Sequence, residues 1–328
     1  MVDKVSKKEL QRHHKHLEGI KKEVGKVIVG QHGVINCLLR SLLANGHVFV
    51  EGVPGIAKTL LIKTLAQVTG CKFNRIQFTV DLLPTDITGI TSYNEKKGFY
   101  VVKGPIFSNF VIADEINRAP AKTQSALLES MAERQVTIGK RTFKLEEPFF
   151  VMATQNPIET TGTYPLPEAQ VDRFLFKVMM DYPSIDEEEE VLGKNINLRN
   201  FEDFGIKSVT SPKEILAMQR FVKKIYLKDN IRRYIVAIVE ATRDPKKYGI
   251  KLGRYVEWGA SPRASIGLFI GAKTEALLNN RAFVTPQHVK DVAYDVLRHR
   301  LLLNYEGQAE QIKSDDIITE ILSKVPVP

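Results

Sequence analysis

Two segments of the sequence carry residues whose types and spacing suit phosphate chemistry. The first is Gly52-Val-Pro-Gly-Ile-Ala-Lys-Thr59, which follows an apolar stretch and precedes a helical pattern over residues 58–68. A strand that ends in a glycine-rich turn before a helix gathers backbone N–H groups at the positive end of that helix. In such a loop Lys58 would reach the terminal phosphates of a nucleotide, and the Thr59 hydroxyl would ligate magnesium.

The loop departs from the usual spacing G-x-x-x-x-G-K-[ST] at one position, where Ala57 replaces the second glycine. We expect the residue before the lysine to lie in the first turn of the helix, where φ is negative and a Cβ atom costs little. The positions that need positive φ are then Gly52 or Gly55. The alternative is an accidental turn before a helix, and the flanking strand and helix patterns argue against it.

The second segment is FVIADEINRAP, which places Asp114 and Glu115 at the end of an apolar strand. We expect this strand to run beside the loop strand and to bring both carboxylates next to the triphosphate. Asp114 would hold the metal through a water, and Glu115 would orient and polarise the attacking water. Taken alone, the pair would only cap a strand end, but its position downstream of a phosphate loop favours the catalytic interpretation.

Three more polar residues are candidates for contacts with phosphate. Asn156 lies in Gln155-Asn156-Pro157 at the end of an apolar strand, where water positioning and simple turn formation explain it equally well. Arg173 ends a short helix before a strand, which by itself is more typical of a surface salt bridge. Arg263 begins a helix, and the helix dipole disfavours a cation there unless an anion lies near. Because a guanidinium can clamp phosphate oxygens, we favour a functional role for Arg263.

The elements that must position these residues follow from the apolar pattern. Up to about residue 180, short apolar strands alternate with helical patterns, which is typical of an α/β fold with a parallel sheet covered on both faces. Beyond Tyr182-Pro183 the apolar period becomes helical. We therefore predict a nucleotide-binding core over residues 1–183 and a small helical domain over residues 184–328.

The composition is that of an ordinary globular protein, with 43% hydrophobic and 26% charged residues. No apolar run approaches the roughly 18 residues that a membrane span needs, and the N-terminal residues lack the apolar segment of a secretory signal. The only cysteines, Cys37 and Cys71, fit a reducing compartment, so we expect a cytoplasmic protein. The net charge of +9 permits nucleic-acid binding without requiring it, because the lysines are scattered and partly offset by acidic runs.

Together these motifs resemble the AAA+ ATPases, and specifically the MoxR family, over about residues 20–325. The close matches are EGVPGIAKT, FVIADEINRAPAKTQSALLESMAERQVTIG, FFVMATQNPIETTGTYPLPEAQVDRF and GASPRAS. The resemblance implies an AAA+ core with a C-terminal α-helical lid. It also implies that residues 52–59 are the Walker A loop and that Asp114-Glu115 are Walker B.

The resemblance further implies a set of site residues and two cofactors, ATP and Mg²⁺. Asn156 would be sensor 1, Arg173 an arginine finger that reaches a neighbouring subunit's nucleotide, and Arg263 sensor 2. Lys58 and Glu115 complete the catalytic group, and Thr59 and Asp114 would hold the metal. The residues implied to contact the nucleotide are Gln31, Gly52, Val53, Pro54, Gly55, Ile56, Ala57, Lys58, Thr59, Leu60 and Arg263.

The same resemblance implies how such a protein works with partners. Residues 81–107 match a hairpin-bearing insert of the family, and residues 134–147 match a second hairpin before sensor 1. A homo-oligomer, expected to be a hexamer, would remodel a client protein, with a von Willebrand factor A domain protein as an expected partner. A nucleic-acid motor is one alternative, with the Lys96-Lys97 pair as its feature, although no dedicated nucleic-acid module is visible. A nucleotide-gated scaffold with little turnover is the other, and Glu115 argues against it.

Overall fold

A computed structural model of the protein describes residues 6–96, 98–158, 162–194 and 200–328. In chain order, the described helices are α1 (Lys7–Val24), α2 (His32–Leu43), α3 (Lys58–Val68), α4 (Pro84–Thr88), α5 (Ala121–Glu133), α6 (Glu168–Val171), α7 (Ile185–Lys194), α8 (Pro212–Lys224), α9 (Asp229–Arg243), α10 (Pro262–Leu278), α11 (Pro286–Leu297), α12 (Tyr305–Ala309) and α13 (Ser314–Lys324). The described strands are β1 (Val48–Gly52), β2 (Phe73–Gln77), β3 (Gly89–Asn94), β4 (Gly98–Lys103), β5 (Phe110–Asp114), β6 (Gln135–Ile138), β7 (Arg141–Lys144), β8 (Phe150–Gln155), β9 (Phe176–Met180), β10 (Val256–Trp258) and β11 (Leu302–Leu303). None of these helices is both long and apolar enough to cross a membrane.

Five of the described strands form one parallel sheet in the order β2-β5-β8-β1-β9. Apart from the edge strand β2, their sequences are mostly apolar, as expected where both faces of a parallel sheet are covered. The predicted α/β fold with a parallel sheet is therefore confirmed. Because parallel strands end at the same edge, the polar residues that follow β1, β5 and β8 meet at one edge of the sheet.

One expectation about this sheet is wrong. The strand that carries Asp114 does not run beside the loop strand, because β8 lies between β5 and β1. The registers pair Phe110 with Phe150 on one side of β8, and Val48 with Met152 on its other side. Sequence order did not reveal this insertion, since β8 follows both of its neighbours in the chain. The strand end that carries Asn156 is consequently the one between the loop and the acid pair.

Alternate residues of the central strands enter different apolar clusters on the two faces of the sheet. One face packs against the helices α1, α2 and α3 and against the C-terminal helices; its strand residues are Val48, Val50, Phe110, Ile112, Phe150, Met152, Phe176 and Val178. The other face packs against α5 and the β6–β7 hairpin; its strand residues are Phe49, Val111, Ala113, Val151 and Ala153. Side chains alternate between the two faces of the sheet along each strand. Consecutive residues at the end of a strand can therefore direct their side chains to opposite faces.

Two antiparallel hairpins extend from the core. In the segment 81–107, α4 leads into the hairpin of β3 and β4, whose described residues pair Ile90 with Val102. A Cβ atom on Gly89 would lie 2.2 Å from the carbonyl oxygen of Val102, so the start of this hairpin requires glycine. The second expected hairpin, over residues 134–147, is formed by β6 and β7. Of the Lys96-Lys97 pair, Lys97 lies outside the described residues.

The C-terminal part of the described chain is mostly helical, as the sequence predicts. The residues Ile231, Ile235, Ile238, Val239 and Thr242, which repeat at helical spacing, lie on the buried face of α9. Helices α8 and α10 contact α2, and α11 contacts β9, so these helices share an apolar cluster with one face of the sheet. The division at residue 183 stays a prediction, because this shared cluster is continuous across it.

Candidate nucleotide-binding site

The loop of residues 52–59 connects the end of β1 to the start of α3. Gly52 is required by close packing, because a Cβ atom there would lie 2.6 Å from the carbonyl oxygen of Met180 and 2.9 Å from Ile56 Cδ1. Gly55 has φ of +84°, which confirms the predicted positive φ at that position. Gly52 does not have a positive φ. Glycine is needed there because neighbouring atoms leave no room for a Cβ atom, and not because of the backbone conformation.

The prediction for Ala57 is wrong. Ala57 caps the N-terminus of α3 with φ of 61° and ψ of 26°, so it lies outside the first helical turn and has the left-handed conformation. For a residue with a Cβ atom this conformation costs roughly 1–2 kcal/mol. The positive φ occurs where the chain passes from the loop into the first turn of α3. The glycine in the usual spacing therefore serves a conformational need that Ala57 meets under strain.

Lys58 lies with its ammonium folded back onto the loop. Its Nζ donates a hydrogen bond to the carbonyl oxygen of Gly52. Burial lowers the pKa of Lys58 from its usual range, and the nearby carboxylates of Asp114, Glu115 and Glu51 offset only part of this effect. An anionic group bound in the loop would favour the charged form of Lys58. The terminal phosphates of a nucleotide are such a group.

Asp114 lies at the carboxyl end of β5, within reach of the start of α3. Its Oδ1 accepts a hydrogen bond from Thr154 Oγ1 at 2.6 Å, and its Oδ2 accepts one from Thr59 Oγ1 at 3.3 Å. Arg75 on β2 also donates to Oδ2, from Nη2 at 2.7 Å and from Nε at 3.1 Å. The Thr59 hydroxyl and the Asp114 carboxylate thus fit Mg²⁺, a cation that prefers oxygen ligands and is held by few protein groups.

Glu115 follows with φ of 55°, a left-handed conformation that turns its side chain away from the line of the strand. Its backbone N–H donates to Thr154 Oγ1 at 2.9 Å. Its Oε2 accepts from Gln77 Nε2 and from Arg118 Nη1, each at 3.0 Å. A non-glycine residue in this conformation is unusual, and such strain concentrates at functional sites.

Four of these residues were missed by the sequence reasoning: Thr154, Arg75, Gln77 and Arg118. Thr154 is a polar residue near the end of an apolar strand, which is a usable signal. Arg75 and Gln77 alternate with apolar residues in a short strand, a pattern that normally indicates only the exposed side of an edge strand. Their function depends on β2 pairing with β5, and the sequence did not show that pairing.

Asn156 follows β8 and is buried, with 5% of its surface exposed. Its Oδ1 accepts a hydrogen bond from the backbone N–H of Ile158 at 3.2 Å, so the side chain does form the turn that was the alternative interpretation. This bond uses the carbonyl oxygen only. The amide Nδ2 is a donor that the turn does not require.

A cavity of about 380 Å³ lies beside the loop, with mostly apolar walls. Its lining residues are Val27, Ile28, Val29, Gln31, Pro54, Gly55, Ile56, Ala57, Leu60, Leu61, Met180, Tyr182, Pro183, Glu188 and Val191. Gln31 caps α2 in the left-handed conformation, and its Nε2 donates to the carbonyl oxygen of Asp181 at 3.2 Å. An apolar slot next to a phosphate loop suits a flat purine base.

Arg173 and Arg263 are not among the described residues that line this cavity. Arg173 donates weakly to the carbonyl oxygen of Leu128 at 3.5 Å, and it lines a second surface cavity against α5. Arg263 at the start of α10 lies 3.7 Å from Asp172 Oδ2, and this carboxylate is the anion near the helix start. The structure therefore brings the loop and the acid pair together, while Arg173 lies against α5 and Arg263 lies near Asp172, which Arg300 also contacts at 2.7 Å.

A five-stranded parallel sheet among the described strands, a phosphate loop after β1, an acid pair after β5 and C-terminal helices define a P-loop ATPase of the AAA+ class. The family described as "ATPase family associated with various cellular activities (AAA)" matches residues 47–176, and the AAA lid domain matches residues 253–321. The chain belongs to the MoxR family of AAA+ ATPases, as its relatives show.

Three relatives illustrate this membership. Chaperone MoxR1 of Mycobacterium tuberculosis is 47% identical over 308 residues, which cover 93% of this chain and 81% of the relative. Protein MoxR of Methylorubrum extorquens is 31% identical, with 94% of each chain covered. The crystal structure of a proposed ATPase from Cytophaga hutchinsonii has 47% identity and a TM-score of 0.92, and covers 98% of this chain and 97% of that one.

Proposed function

We propose that this chain binds ATP with Mg²⁺ at the loop of residues 52–59 and hydrolyses it to ADP and phosphate. The supporting observation is the convergence of Thr59 Oγ1 and Asp114 Oδ2 at 3.3 Å, with Glu115 as the next residue of the same strand end. Thr59 and Asp114 would hold the metal, which when bound adds positive charge beside the phosphate oxygens. The cavity between α2, α3 and β9 would take the adenine.

The loop and Lys58 would bind and orient the phosphates. The N–H groups at the start of α3 lie at the end of the loop, and in the described part of the chain the half-buried ammonium of Lys58 donates to the Gly52 carbonyl. Lys58 would leave this carbonyl for the terminal phosphate. Because the site lies at the positive end of a helix and is partly desolvated, each of these contacts is stronger than it would be in water.

Glu115 is the proposed general base. Its carboxylate would accept a proton from the water that attacks the terminal phosphate, after it gives up the hydrogen bonds to Gln77 and Arg118. Asn156 follows β8, the strand between the loop and the acid pair, and its Nδ2 group would donate to the same water or to the phosphate.

Arg173 is proposed to act on a neighbouring subunit's nucleotide, and Arg263 is proposed to contact nucleotide as sensor 2. Neither arginine lines the loop cavity among the described residues, and 54% of the Arg263 side chain is exposed. The site is then incomplete in a single chain, so activity depends on a homo-oligomer; a hexamer is the proposed assembly. An arginine supplied by a neighbour contributes roughly 10³ to 10⁵ in rate for related phosphoryl transfers.

The work of the proposed cycle is remodelling or maturation of a client protein in the cytoplasm. One relative carries the name chaperone, which supports this direction. The β3–β4 hairpin presents Tyr93 and Phe99, which pack on each other at 5.1 Å and are 61% and 76% exposed, so this insert is a candidate contact with the client. A protein with a von Willebrand factor A domain remains the proposed partner.

The experiment that tests this function is a comparison of ATP turnover by the wild type and by Glu115→Gln. We expect the variant to keep nucleotide binding and to lose about 10² to 10⁴ in turnover, the usual contribution of a positioned base. Glu18→Gln, which changes a half-exposed carboxylate paired with Lys21 on α1, is the matched control and should keep wild-type turnover. Equal rates for wild type and Glu115→Gln would favour the scaffold alternative.

A further inference from the structure

Arg75 makes an unusually well-defined contact for an exposed arginine. It lies on β2, the edge strand next to β5, and its Nη2 and Nε both donate to the same oxygen, Asp114 Oδ2, at 2.7 and 3.1 Å. Its Nη2 also donates to Gln77 Oε1, so the guanidinium is held from both sides. Half of the Arg75 side chain is exposed, whereas only 14% of the Asp114 side chain is.

This contact occupies the oxygen that the metal of the proposed function would need. Asp114 Oδ1 is engaged by Thr154 Oγ1, so Oδ2 is the oxygen that faces Thr59, the other proposed ligand. We propose that Arg75 is the resident counter-cation of Asp114 and that it competes with Mg²⁺ for this carboxylate. The proposal rests on the proposed function, because it assumes that Asp114 serves the metal.

Electrostatics decides which partner moves. A guanidinium and a divalent cation a few ångströms apart repel each other, by about 2 kcal/mol at 4 Å even in water. Asp114 cannot retreat, since its side chain is mostly enclosed at a strand end and bound to Thr154. Arg75 can swing into solvent from an edge strand without leaving a buried charge unpaired. Arg75 would therefore leave Asp114 when the metal arrives together with the negative charge of the nucleotide.

The consequence is a site that discriminates against the metal alone. With Arg75 in place, the acidic residues of the site already have cationic partners, so a lone Mg²⁺ gains little by binding. The metal complex of the nucleotide carries negative charge of its own. Binding of this complex therefore offsets the free-energy cost of displacing Arg75. Removing the positive charge of Arg75 should then tighten metal binding, which is the opposite of what loss of a phosphate-binding arginine would do.

The test is Mn²⁺ binding to the purified one-to-one complex of the chain with ADP, with free Mn²⁺ measured by electron paramagnetic resonance. We expect Arg75→Gln and Arg75→Met each to bind Mn²⁺ about tenfold more tightly than the wild type, since one nearby positive charge is removed. Arg75→Lys keeps the charge and should stay within about twofold of the wild type. Using two uncharged variants guards against a defect peculiar to either side chain.

Two controls separate the possible failures. Arg232→Gln removes the same net charge from an exposed arginine on α9 that pairs with Asp229, and should leave Mn²⁺ affinity unchanged. Asp114→Asn should weaken Mn²⁺ binding. If Asp114→Asn weakens binding while the uncharged Arg75 variants bind no more tightly than the wild type, the competition is wrong and the metal site stands. If Asp114→Asn leaves binding unchanged, the metal site and the competition are both wrong.

Discussion

A single hydroxyl organises the acid pair of this site. Thr154 Oγ1 donates to Asp114 Oδ1 at 2.6 Å and accepts the backbone N–H of Glu115 at 2.9 Å. Because a hydroxyl can donate and accept at once, one residue of β8 fixes both the first carboxylate and the backbone turn that presents the second. The strand inserted between the loop and the acid pair thereby becomes part of the site.

Ala57 permits a prediction at the scale of one residue. Because its φ is positive, Ala57→Gly should leave the free energy of unfolding unchanged or raise it by up to about 1 kcal/mol, as relief of strain exceeds the added entropy of the unfolded chain. Ala57→Val should lower the free energy of unfolding by more than about 1 kcal/mol, since a β-branched residue is least tolerated there. Urea unfolding of the nucleotide-free chain measures both changes.

The two substitutions also discriminate between the conformations. If Ala57 lay in the first turn of α3, glycine would destabilise the helix by about 0.5–1 kcal/mol and valine would be nearly neutral. The opposite order of stabilities is expected here. A valine variant as stable as the glycine variant would contradict the left-handed conformation.

At the scale of elements, a buried histidine connects strands and helix on one face of the sheet. His47 Nδ1 accepts from the backbone N–H of Val151 on β8 at 3.0 Å, and its Nε2 donates to the carbonyl oxygen of Met131 on α5 at 3.4 Å. The ring also packs edge-on against Phe149 at 5.5 Å. Accepting at Nδ1 requires the neutral imidazole, so this junction depends on the histidine staying unprotonated.

This junction predicts a pH dependence of stability. Burial, and secondly the charge of Arg134, lower the pKa of His47 from 6.5 to about 3. The unfolded chain therefore binds the proton first as pH falls, so stability is full above about pH 6.5 and declines below it. For this residue the loss should be about 2 kcal/mol at pH 5.

The measurement is chemical unfolding of the wild type and of His47→Asn between pH 5 and pH 8. The asparagine Oδ1 can accept the Val151 N–H without titrating, so the variant should lose less stability than the wild type over this range. His32→Asn at the exposed start of α2 is the control and should keep the wild-type slope. Since burial also lowers the pKa values of His13, His288 and His299, part of the acid sensitivity should persist in His47→Asn.

At the scale of the whole molecule, the helical part completes the core of the sheet. Arg40 on α2 pairs with Glu275 at 2.5 Å and with Asp295 at 3.1 Å, and all three side chains are mostly buried. Gln219 on α8 donates to the carbonyl oxygen of Leu42 at 2.7 Å. These contacts and the shared apolar cluster tie the C-terminal helices to α2 and β9.

We therefore expect the fragment 1–183 to fail as an independent domain. Without the C-terminal helices, apolar residues of α2 and of one sheet face, such as Leu42 and Phe176, would be exposed to water. The fragment should lack a cooperative thermal transition or should self-associate, whereas the full chain should unfold in a sharp transition. A monomeric fragment with a sharp transition would show that the predicted division is a true domain boundary.

The placement of Arg173 predicts complementation between inactive subunits. Glu115→Gln retains its arginine and Arg173→Ala retains its base, so mixed oligomers contain interfaces with both groups intact. If Arg173 acts on a neighbour's nucleotide, mixing the two variants should restore ATP turnover at about a quarter of the interfaces. Lys58→Ala mixed with Glu115→Gln is the control: each has an intact Arg173, yet every mixed site lacks either the lysine or the base, so no recovery is expected. An absence of recovery in the first mixture would place Arg173 at its own nucleotide.

Much of the candidate site could be predicted from local patterns. The loop, the acid pair and Asn156 each follow an apolar strand, and parallel strands of one sheet deliver such residues to a common edge. The fold class was also predictable from local patterns. The hydrophobic periods of strands and helices differ, and their alternation along the chain is typical of an α/β fold. What stayed hidden were Thr154, Arg75 and Gln77, whose partners lie on strands that are distant in the chain.

The sequence by itself determined which residues carry charge, which strands and helices form, and the family to which the chain belongs. The tertiary structure alone decided that β8 lies between the loop and the acid pair, that Ala57 is left-handed, and that Arg75 rests on Asp114. The physical reason is the range of the interactions: hydrophobic periodicity and turn chemistry act between residues close in the chain. Strand order, backbone reversal at a helix start and ion pairing between strands depend on how distant segments pack.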